Sequence, residues 1–446
     1  MSTITRHPLY HKADKIRRAL ALNGFTFYDN GESKELLETA SLFELFHEPE
    51  EIKAGQILTG DGSYSLRTQL LPMHLTSFGK ALPLKAAVSG RIYDGRDEKN
   101  PQHLRIEGVI ADEGMTLTDL NVLWGKIAAG IYGVGASVSL DPAGRDCMSV
   151  NVKISTNEAR CLGYIGQAVW IARALLGLED KSIPVWVFTI DVDSIAAADL
   201  GLASRDDLYD NRMSFIGSVE DSAPSFGNSF AVKTVDVLRS LGYTEYIGDK
   251  FYTSDAYKRM NMIQDAWDTN NQGVPLVKPL PYNNPLTDCT TRDGLPTVLA
   301  PALEQALSDN FTAGVESLRI FELSHIFKPG KDGGEPWEVM SLSFGAYAPG
   351  LDYKSFLGEV TAVLRKMGIT NSFFIPTNMA IAYRTDQCMV ILDEKMKYLD
   401  GNCGHISPTA LDNFKISTDA YMAQFELPTL DWKAGQEYGF VPYELR

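Results

Sequence analysis

Three charged side chains in the stretch from Gly90 to Glu113 could bind an anionic ligand that carries a polar base: Arg91, Arg105 and Glu107. Arginine binds phosphate through a planar fork of N–H donors, and a carboxylate accepts hydrogen bonds from an amine. These residue types therefore suit an anionic ligand with a polar base attached. A solvated hairpin with cross-strand ion pairs explains the same residues, and the pattern alone favours that alternative.

Two extended segments must position these side chains, Arg91–Tyr93 and His103–Ile110, with a charged turn at 94–101 between them. Apolar and charged residues alternate from Leu104 to Val109, which predicts a strand with one apolar and one polar face. Two antiparallel strands would hold the charged groups on a rigid sheet while the charged tip of the hairpin faces solvent.

Composition restricts the class of protein. The chain has 446 residues, of which 44% are hydrophobic and 22% charged, and this size predicts two or three globular domains. No stretch approaches the roughly 20 apolar residues that span a bilayer, so we expect no membrane partner and a cytoplasmic location. The net charge of -16 disfavours an extensive surface for tRNA or another polyanion.

The cysteines indicate a reducing environment. There are 5, an odd number, with no CxxC pair or histidine at metal-ligand spacing. We therefore predict reduced thiols, with neither a disulfide nor a bound zinc or other structural metal.

The segment GRIY followed by LRIEGVIADEG resembles the second signature motif of class II aminoacyl-tRNA synthetases, most closely that of the phenylalanyl-tRNA synthetase alpha subunit. The resemblance implies that Glu107 contacts the adenine amine of ATP. It also implies a phosphate contact from Arg105 or Arg96, although Asp94 stands where the family has its phosphate-binding arginine. Arg96 would reach the same face as Arg91 only if the strand continued that far.

Two further segments resemble the family's amino-acid pocket. In Ser65–Phe78 the substrate-contacting positions correspond to Gln69, Leu71 and His74, although a histidine of this kind is more often structural. The glycines Gly163 and Gly166 resemble those of the strand that floors the pocket.

The wall of that pocket has changed. The segment Ser139–Val152 aligns with the family's aromatic clamp, but Asp141 and Ala143 replace its two rings and Arg145 replaces an acidic residue. Losing the rings removes aromatic contacts worth about 0.5–1.5 kcal/mol per pair, so we expect a polar or charged substrate in place of phenylalanine. Asp141 and Arg145 could equally pair with each other on a surface loop.

Acidic groups stand where the third family motif has its phosphate-binding arginine. Pro184–Leu202 occupies the position of that motif, with Asp191 and Asp193 in the place of the arginine. Mg²⁺ could bridge the two carboxylates to a triphosphate. The pattern favours a simpler interpretation, in which both cap a helix from Ser194 to Leu202.

The elements around these motifs follow from periodicity. We predict helices at His7–Leu22 and Thr118–Tyr132, ended by Gly24 and Gly133. Lys34–His47 is either the first class II motif, which builds a dimer interface, or a core helix.

Beyond residue 228 the chain resembles the catalytic-like part of the beta subunit. GVESLRIFELSHIF and GNCGHISPTALDNF carry that resemblance. We therefore expect an α+β protein with a class II antiparallel sheet flanked by helices, present twice. The predicted domains are residues 1–212 (alpha-like), 213–227 (a linker) and 228–446 (beta-like). By analogy with the family, this fused chain would form a homodimer.

Three functions remain open at this point. The first is ATP- and Mg²⁺-dependent activation of a noncanonical, amino-acid-like substrate as an adenylate, with transfer to an acceptor other than ordinary tRNA. The second is an inactive paralogue that binds a small ligand or a protein. The third is a true aminoacyl-tRNA ligase that contacts tRNA only at its acceptor end.

Overall fold

The structure is a computed structural model, which describes residues 5–30, 33–38, 56–59, 62–97, 100–143, 147–154, 159–180, 182–251, 254–260, 282–283, 294–328, 337–377, 382–393, 398–428 and 430. The chain forms two compact units. Unit A comprises Pro8–Leu208 and Asn283–Asp288, and unit B comprises Met1–His7, Tyr209–Tyr282 and Cys289–Arg446.

Unit A is built on a seven-stranded sheet in the order β1-β5-β6-β10-β9-β8-β7. All neighbouring strands are antiparallel except β1 and β5. Strands β2 and β3 each pair with β4 in a smaller antiparallel sheet. The strands are β1 (Thr26–Asn30), β2 (Leu36–Glu38), β3 (Leu58–Thr59), β4 (Tyr64–Leu66), β5 (Leu84–Tyr93), β6 (Gln102–Ala111), β7 (Ala136–Pro142), β8 (Cys147–Ile154), β9 (Arg160–Gln167) and β10 (Val185–Asp191).

The helices of unit A have well-defined ends. They are α1 (Pro8–Leu22), α2 (Leu117–Tyr132), α3 (Trp170–Leu176) and α4 (Val192–Leu200). A capping box begins α2, in which the Thr116 side chain accepts from the Asp119 amide and the Asp119 side chain accepts from the Thr116 amide. Gly133 ends it at φ 94, a conformation that glycine adopts without steric cost.

The two faces of this sheet differ in what covers them. On one face the Phe188 ring lies over Gly108, where a Cβ would come within 2.3 Å of the ring. Trp124 of α2 packs edge-on against Phe188 at 5.3 Å. Side chains alternate between faces along a strand, so Glu107 and Thr189, the sequence neighbours of Gly108 and Phe188, point to the opposite face.

Unit B repeats this architecture. Its seven-stranded sheet has the order β11-β13-β14-β18-β17-β16-β15, and β11 and β13 are again its parallel pair. The strands of this sheet are β11 (Thr244–Glu245), β13 (Leu318–Lys328), β14 (Trp337–Tyr347), β15 (Ser372–Pro376), β16 (Tyr383–Asp393), β17 (Tyr398–Ile406) and β18 (Tyr421–Glu426). A further short strand, β12 (Tyr282–Asn283), belongs to neither seven-stranded sheet. The remaining helices are α5 (Met213–Ile216), α6 (Phe230–Ser240), α7 (Ser254–Arg259), α8 (Ala300–Thr312), α9 (Tyr353–Lys366) and α10 (Pro408–Asn413).

These elements confirm the predicted α+β fold with its antiparallel sheet present twice, as well as the hairpin and the helices α1 and α2. The alternative of a core helix from Lys34 is wrong at its start, because Leu36–Glu38 forms a strand; residues 39–50 lie outside the described part. Met213–Ile216, at the start of the predicted linker, is helical. Among the described residues, none of the helices has both the length and the apolar character to cross a membrane.

Candidate functional site

A line of polar side chains crosses the face of unit A's sheet that lies opposite Phe188. Glu107 of β6 lies opposite Thr189 of β10, which lies opposite Tyr164 of β9. Tyr164 in turn pairs with Ser149 of β8, and Ser149 pairs with Asp141 of β7. Paired residues on adjacent strands point to the same face, so these five residues form one line, the polar row. At about 4.8 Å per strand, it is about 19 Å long.

The polar row is closed at one end and open at the other. Glu107 is 0% exposed whereas Tyr164 is 45% exposed, and Asp141 is also exposed. The closed end is covered by the apolar residues Leu70 and Leu71, which join a buried cluster on this face. The row therefore forms a floor that a ligand could reach from the side of Asp141.

Glu107 binds protein backbone. Its Oε2 accepts hydrogen bonds from the amides of Leu70 and Leu71, each at 2.9 Å. Burial raises the pKa of Glu107 above its ordinary value, against the Arg105 guanidinium and the two amides, which lower it. Its other oxygen, Oε1, is buried and makes no hydrogen bond within the described structure. One oxygen thus holds the segment that carries Leu71, and the other remains for a donor.

Two guanidinium groups flank Glu107. Arg105 projects from the same face of β6, with its Nη1 at 3.9 Å from Glu107 Oε1 and its side chain 29% exposed. Arg67 is fully buried over Gly90, where a Cβ would lie 2.6 Å from Arg67 Nη2. Because Gly90 pairs with Arg105 across the hairpin, both cations lie beside the closed end of the polar row.

The backbone fixes the orientation of the Arg67 guanidinium. Its Nε donates to the Arg91 carbonyl at 2.6 Å, and its Nη1 donates to the carbonyls of Ser33 and Lys34 at 2.9 and 3.0 Å. Its Nη2 is buried without a hydrogen-bond partner among the described residues. A buried donor without an acceptor is costly, so this N–H is a candidate contact for a ligand anion.

His103 lies two residues before Arg105 and therefore on the same face of β6. Burial lowers the pKa of His103 to about 4, with a further lowering from Arg105 and opposing contributions from the carboxylates of Asp191, Asp94 and Asp206. The imidazole is therefore neutral at pH 7 and adds no positive charge to the site.

Arg91 and Arg96 do not join this cluster. Arg91 is one residue from Gly90 and points to the opposite face, where its Nη2 donates to the Tyr10 hydroxyl at 2.7 Å. The condition set for Arg96 is not met, because β5 ends at Tyr93 and Arg96 forms an ion pair with Asp94 at 2.7 Å in the following turn. The hairpin therefore places Arg105, and neither of the other two arginines, beside Glu107.

Asp191 and Asp193 point in different directions. Asp191 caps α4, as predicted, by accepting from the Ser194 amide at 3.1 Å. The capping prediction is wrong for Asp193, because the helix already begins at Val192 and the buried Asp193 accepts from the Leu104 amide at 2.9 Å. Two carboxylates engaged in this way do not fit a shared Mg²⁺ ion.

The segment after β4 carries three predicted substrate contacts. Leu71 is fully buried in the apolar cluster, so its side chain packs in the core while its amide binds Glu107. His74 Nε2 lies 3.2 Å from Ser33 Oγ, and Gln69 is half-buried. The structure thus gives Leu71 a supporting position and leaves the roles of Gln69 and His74 as predictions.

Gly163 and Gly166 lie on β9, as predicted from the glycine-bearing strand. A Cβ at Gly163 would come within 1.9 Å of the Thr189 carbonyl oxygen, so a larger residue would push β9 away from β10. Gly166 pairs with Val187 of β10 and Cys147 of β8. The two glycines set the spacing of the strands that carry Thr189 and Tyr164.

The predicted pocket wall forms the edge hairpin β7–β8, so Asp141 lies on a strand and the surface-loop interpretation is wrong for it. Asp141 accepts from Asn151 Nδ2 at 2.7 Å and from Ser139 Oγ at 2.8 Å. These hydrogen bonds lower the pKa of Asp141, which keeps it ionised. Ala143 is exposed, and Arg145 lies outside the described residues.

Sequence reasoning missed most of the polar row. Thr189, Tyr164 and Ser149 join it only through the pairing of strands that are far apart in the chain. No local pattern in the sequence gives that register. Arg67 lies in the segment Ser65–Phe78 that resembles part of the amino-acid pocket, but sequence reasoning assigned it no role.

Two sequence families match adjacent parts of the chain. The family described as tRNA synthetases class II core domain (F) matches residues 1–217. The family described as phenylalanyl tRNA synthetase beta chain CLM domain matches residues 217–427. Together they cover unit A and most of unit B.

Individual relatives give the same division. The chain is 24% identical over 235 residues to the phenylalanine--tRNA ligase alpha subunit of Caldanaerobacter subterraneus subsp. tengcongensis, covering 47% of this chain and 68% of that protein. It is 25% identical over 199 residues to the beta subunit from Clostridium tetani, covering 44% of this chain and 24% of that protein. The chain thus spans about two thirds of the first relative and a quarter of the second.

Among solved structures, the chain is similar to a pyrrolysyl tRNA synthetase from Desulfitobacterium hafniense, PylSc. The sequence identity is 13%, the TM-score is 0.35, and the match covers 46% of this chain and 71% of that one.

Proposed function

Because the chain is a phenylalanyl-tRNA synthetase-like member of the class II synthetases, we propose that unit A activates a carboxylic acid with ATP. In such a reaction a carboxylate oxygen attacks the α-phosphorus of ATP. The bond from that phosphorus to the leaving oxygen breaks, and the products are an acyl adenylate and pyrophosphate.

One observation supports this proposal above the others: Arg105 and Arg67 lie beside Glu107 at the closed end of an otherwise polar and open floor. Fixed donors that meet developing negative charge supply much of the rate enhancement in reactions of this kind. Arg105 is 29% exposed and can reach a phosphate, and Arg67 offers a buried N–H. Glu107 Oε1 offers an acceptor for the amine of the adenine or of the substrate.

The polar row supports a substrate other than phenylalanine. Tyr164, Ser149 and Asp141 offer hydroxyl groups and an ionised carboxylate where an apolar ring would need apolar walls. We propose an amino-acid-like substrate whose side chain ends in an amine or a hydroxyl. The net charge of -16 supports an acceptor other than ordinary tRNA. We further propose a homodimer, by analogy with the family.

Exchange of labelled pyrophosphate into ATP tests the activation step over a panel of amino acids and related carboxylates. We expect exchange with polar substrates, and an approximately 100-fold or larger loss in Arg105→Gln. Lys126→Gln is the matched control, because Lys126 is an exposed cation on α2, which packs on the other face. No exchange with any carboxylate would refute the enzymatic proposal.

A binding role without catalysis is the second candidate. Two of the predicted phosphate-binding arginines are engaged elsewhere, since Arg91 binds Tyr10 and Arg96 binds Asp94. Asp191 and Asp193 also point in different directions, which supports a role without catalysis. Calorimetry with ATP separates the two candidates. Binding of the amino-acid-like ligand without ATP binding supports the second, and micromolar ATP affinity contradicts it.

A further inference from the structure

A second row of polar side chains lies in unit B at the position equivalent to the polar row. The parallel strand pairs align the two sheets, because Thr26 pairs with Ala86 at the start of β1 and Thr244 pairs with Ile320 at the start of β11. Two residues further along, Val88 corresponds to Glu322. Cross-strand pairing then extends the second row across β13, β14, β18 and β17 through Glu322, Ser343, Gln424 and Asn402.

The correspondence is residue by residue. Ser343 corresponds to Glu107, because Ser343 pairs with Glu322 and Glu107 pairs with Val88. Gln424 takes the place of Thr189 and Asn402 that of Tyr164. The two long hairpins give the same alignment. The pairing of β13 with β14 begins at Leu318 and Tyr347, and the pairing of β5 with β6 begins at Leu84 and Ala111.

Buried acceptors in this second row have no hydrogen-bond partner in the part of the chain that the structure describes. Glu322 is 1% exposed and Ser343 is 0% exposed, and neither carboxylate oxygen of Glu322 nor the Ser343 hydroxyl is hydrogen-bonded within the described residues. Lys250 Nζ forms an ion pair with Glu322 Oε1 at 3.9 Å, a distance that is too long for a hydrogen bond. Lys250 instead donates to the His325 carbonyl at 3.4 Å.

Helix α8 covers this face and adds another acceptor. Leu303 and Leu307 of α8 approach Gly345, where a Cβ would lie 3.2 and 3.4 Å from their methyl groups. Glu304, on the same helix, is 0% exposed, and both its oxygens lack a hydrogen bond in the described structure. Burial raises the pKa of Glu304 well above its ordinary value, opposed by the charge of Arg259. Glu304 is therefore a buried carboxyl group that favours its protonated form, and Glu322 is the charged acceptor of the second row.

The second row is accessible from its far end. Gln424 and Asn402 are half-buried, and the Tyr383 hydroxyl donates to Asn402 Oδ1 at 2.6 Å. Burial is the main cause that raises the pKa of Tyr383, and the charge of Glu304 contributes.

We propose that the second row is a binding site for the protonated amine of a small amino-acid-like molecule. An ammonium group brings three donors and a positive charge, which matches the Glu322 and Ser343 oxygens that have no hydrogen-bond partner within the described residues. A carboxylate brings only acceptors and a negative charge, so it offers these oxygens no donor and meets the like charge of Glu322.

Calorimetric titration of the full chain with ethylamine, propionate and L-alanine tests this site. Ethylamine carries only the ammonium group, propionate only the carboxylate, and L-alanine both. We expect ethylamine and L-alanine to bind and propionate not to bind. Binding of propionate as tight as that of ethylamine, or no binding of any probe, would overturn the proposal.

Variants assign the binding to unit B. Glu322→Gln and Ser343→Ala should each weaken the affinity for ethylamine about tenfold or more, since each removes a hydrogen bond to a charged group. Glu316→Gln, at an exposed glutamate of unit B, is the matched control and should bind normally. Ser343→Ala changes no charge and keeps the test valid if Glu322→Gln fails to fold. Affinity unchanged in both variants would refute the site.

Discussion

His103 should make the protein less stable as the pH falls below neutral. Its pKa is lowered from 6.5 to about 4 by burial in the folded chain, whereas the unfolded chain keeps the ordinary value. Between those two values the unfolded state binds one more proton than the folded state, so stability is present above about pH 6.5 and is lost as the pH falls towards 4. His103→Gln removes this proton uptake.

The size of the effect follows from the two values. A difference of about 2.5 pH units at about 1.36 kcal/mol each gives about 3.4 kcal/mol in full, of which about 2.5 kcal/mol is already lost at about pH 4.5. Wild type should therefore lose about 2.5 kcal/mol more than His103→Gln between about pH 7 and pH 4.5.

Urea unfolding monitored by far-UV circular dichroism at both pH values measures this difference. His11→Gln is the matched control, because His11 is a half-buried histidine on α1 of the same unit, and it should follow the wild type. Equal losses in wild type and His103→Gln would show that the imidazole is protonated in the folded chain, and the account of its burial would be refuted.

Gly163→Ala should lower the free energy of unfolding by more than about 3 kcal/mol, because its Cβ would meet the Thr189 carbonyl at 1.9 Å. The control Gly125→Ala, on α2 where a Cβ meets nothing within 4 Å, should be neutral or stabilising in the same denaturation assay. Thr116→Ala removes the capping box with Asp119 and should lower the melting temperature with a loss of about 1 kcal/mol. A Thr116→Ser variant that did not restore the melting temperature would contradict the capping account.

Local patterns predicted the elements that lie close together in the chain. The hairpin of β5 and β6 followed from alternation around Glu107, and α2 followed from helical spacing that ends at Gly133. Both depend on contacts within a few residues, for which sequence periodicity is a sufficient guide.

Features that depend on distant pairing could not be predicted from the sequence. The face of Arg91 was misjudged because the sequence does not show which residue of β6 pairs with each residue of β5. The pairing of Gly90 with Arg105 places Arg91 on the other face. The polar row needed the register of β10 between β6 and β9, and a shift of one residue would have turned Thr189 to the other face. Arg96 could join the face of Arg91 only in a longer strand, and β5 ends at Tyr93, so Arg96 pairs with Asp94 in the turn instead.

The position of β10 in the sheet has a consequence for synthesis on the ribosome. Strands β6 and β9 precede β10 in the chain, yet β10 separates them in the sheet. Until Val185–Asp191 has left the ribosome, the nascent chain therefore holds two partial sheets with open edges, which are prone to wrong pairing. The same holds in unit B for β18, the last strand of its sheet to be made and a central one. Each unit thus completes its sheet by a late insertion, during which a chaperone that shields unpaired strands would raise the yield of native protein.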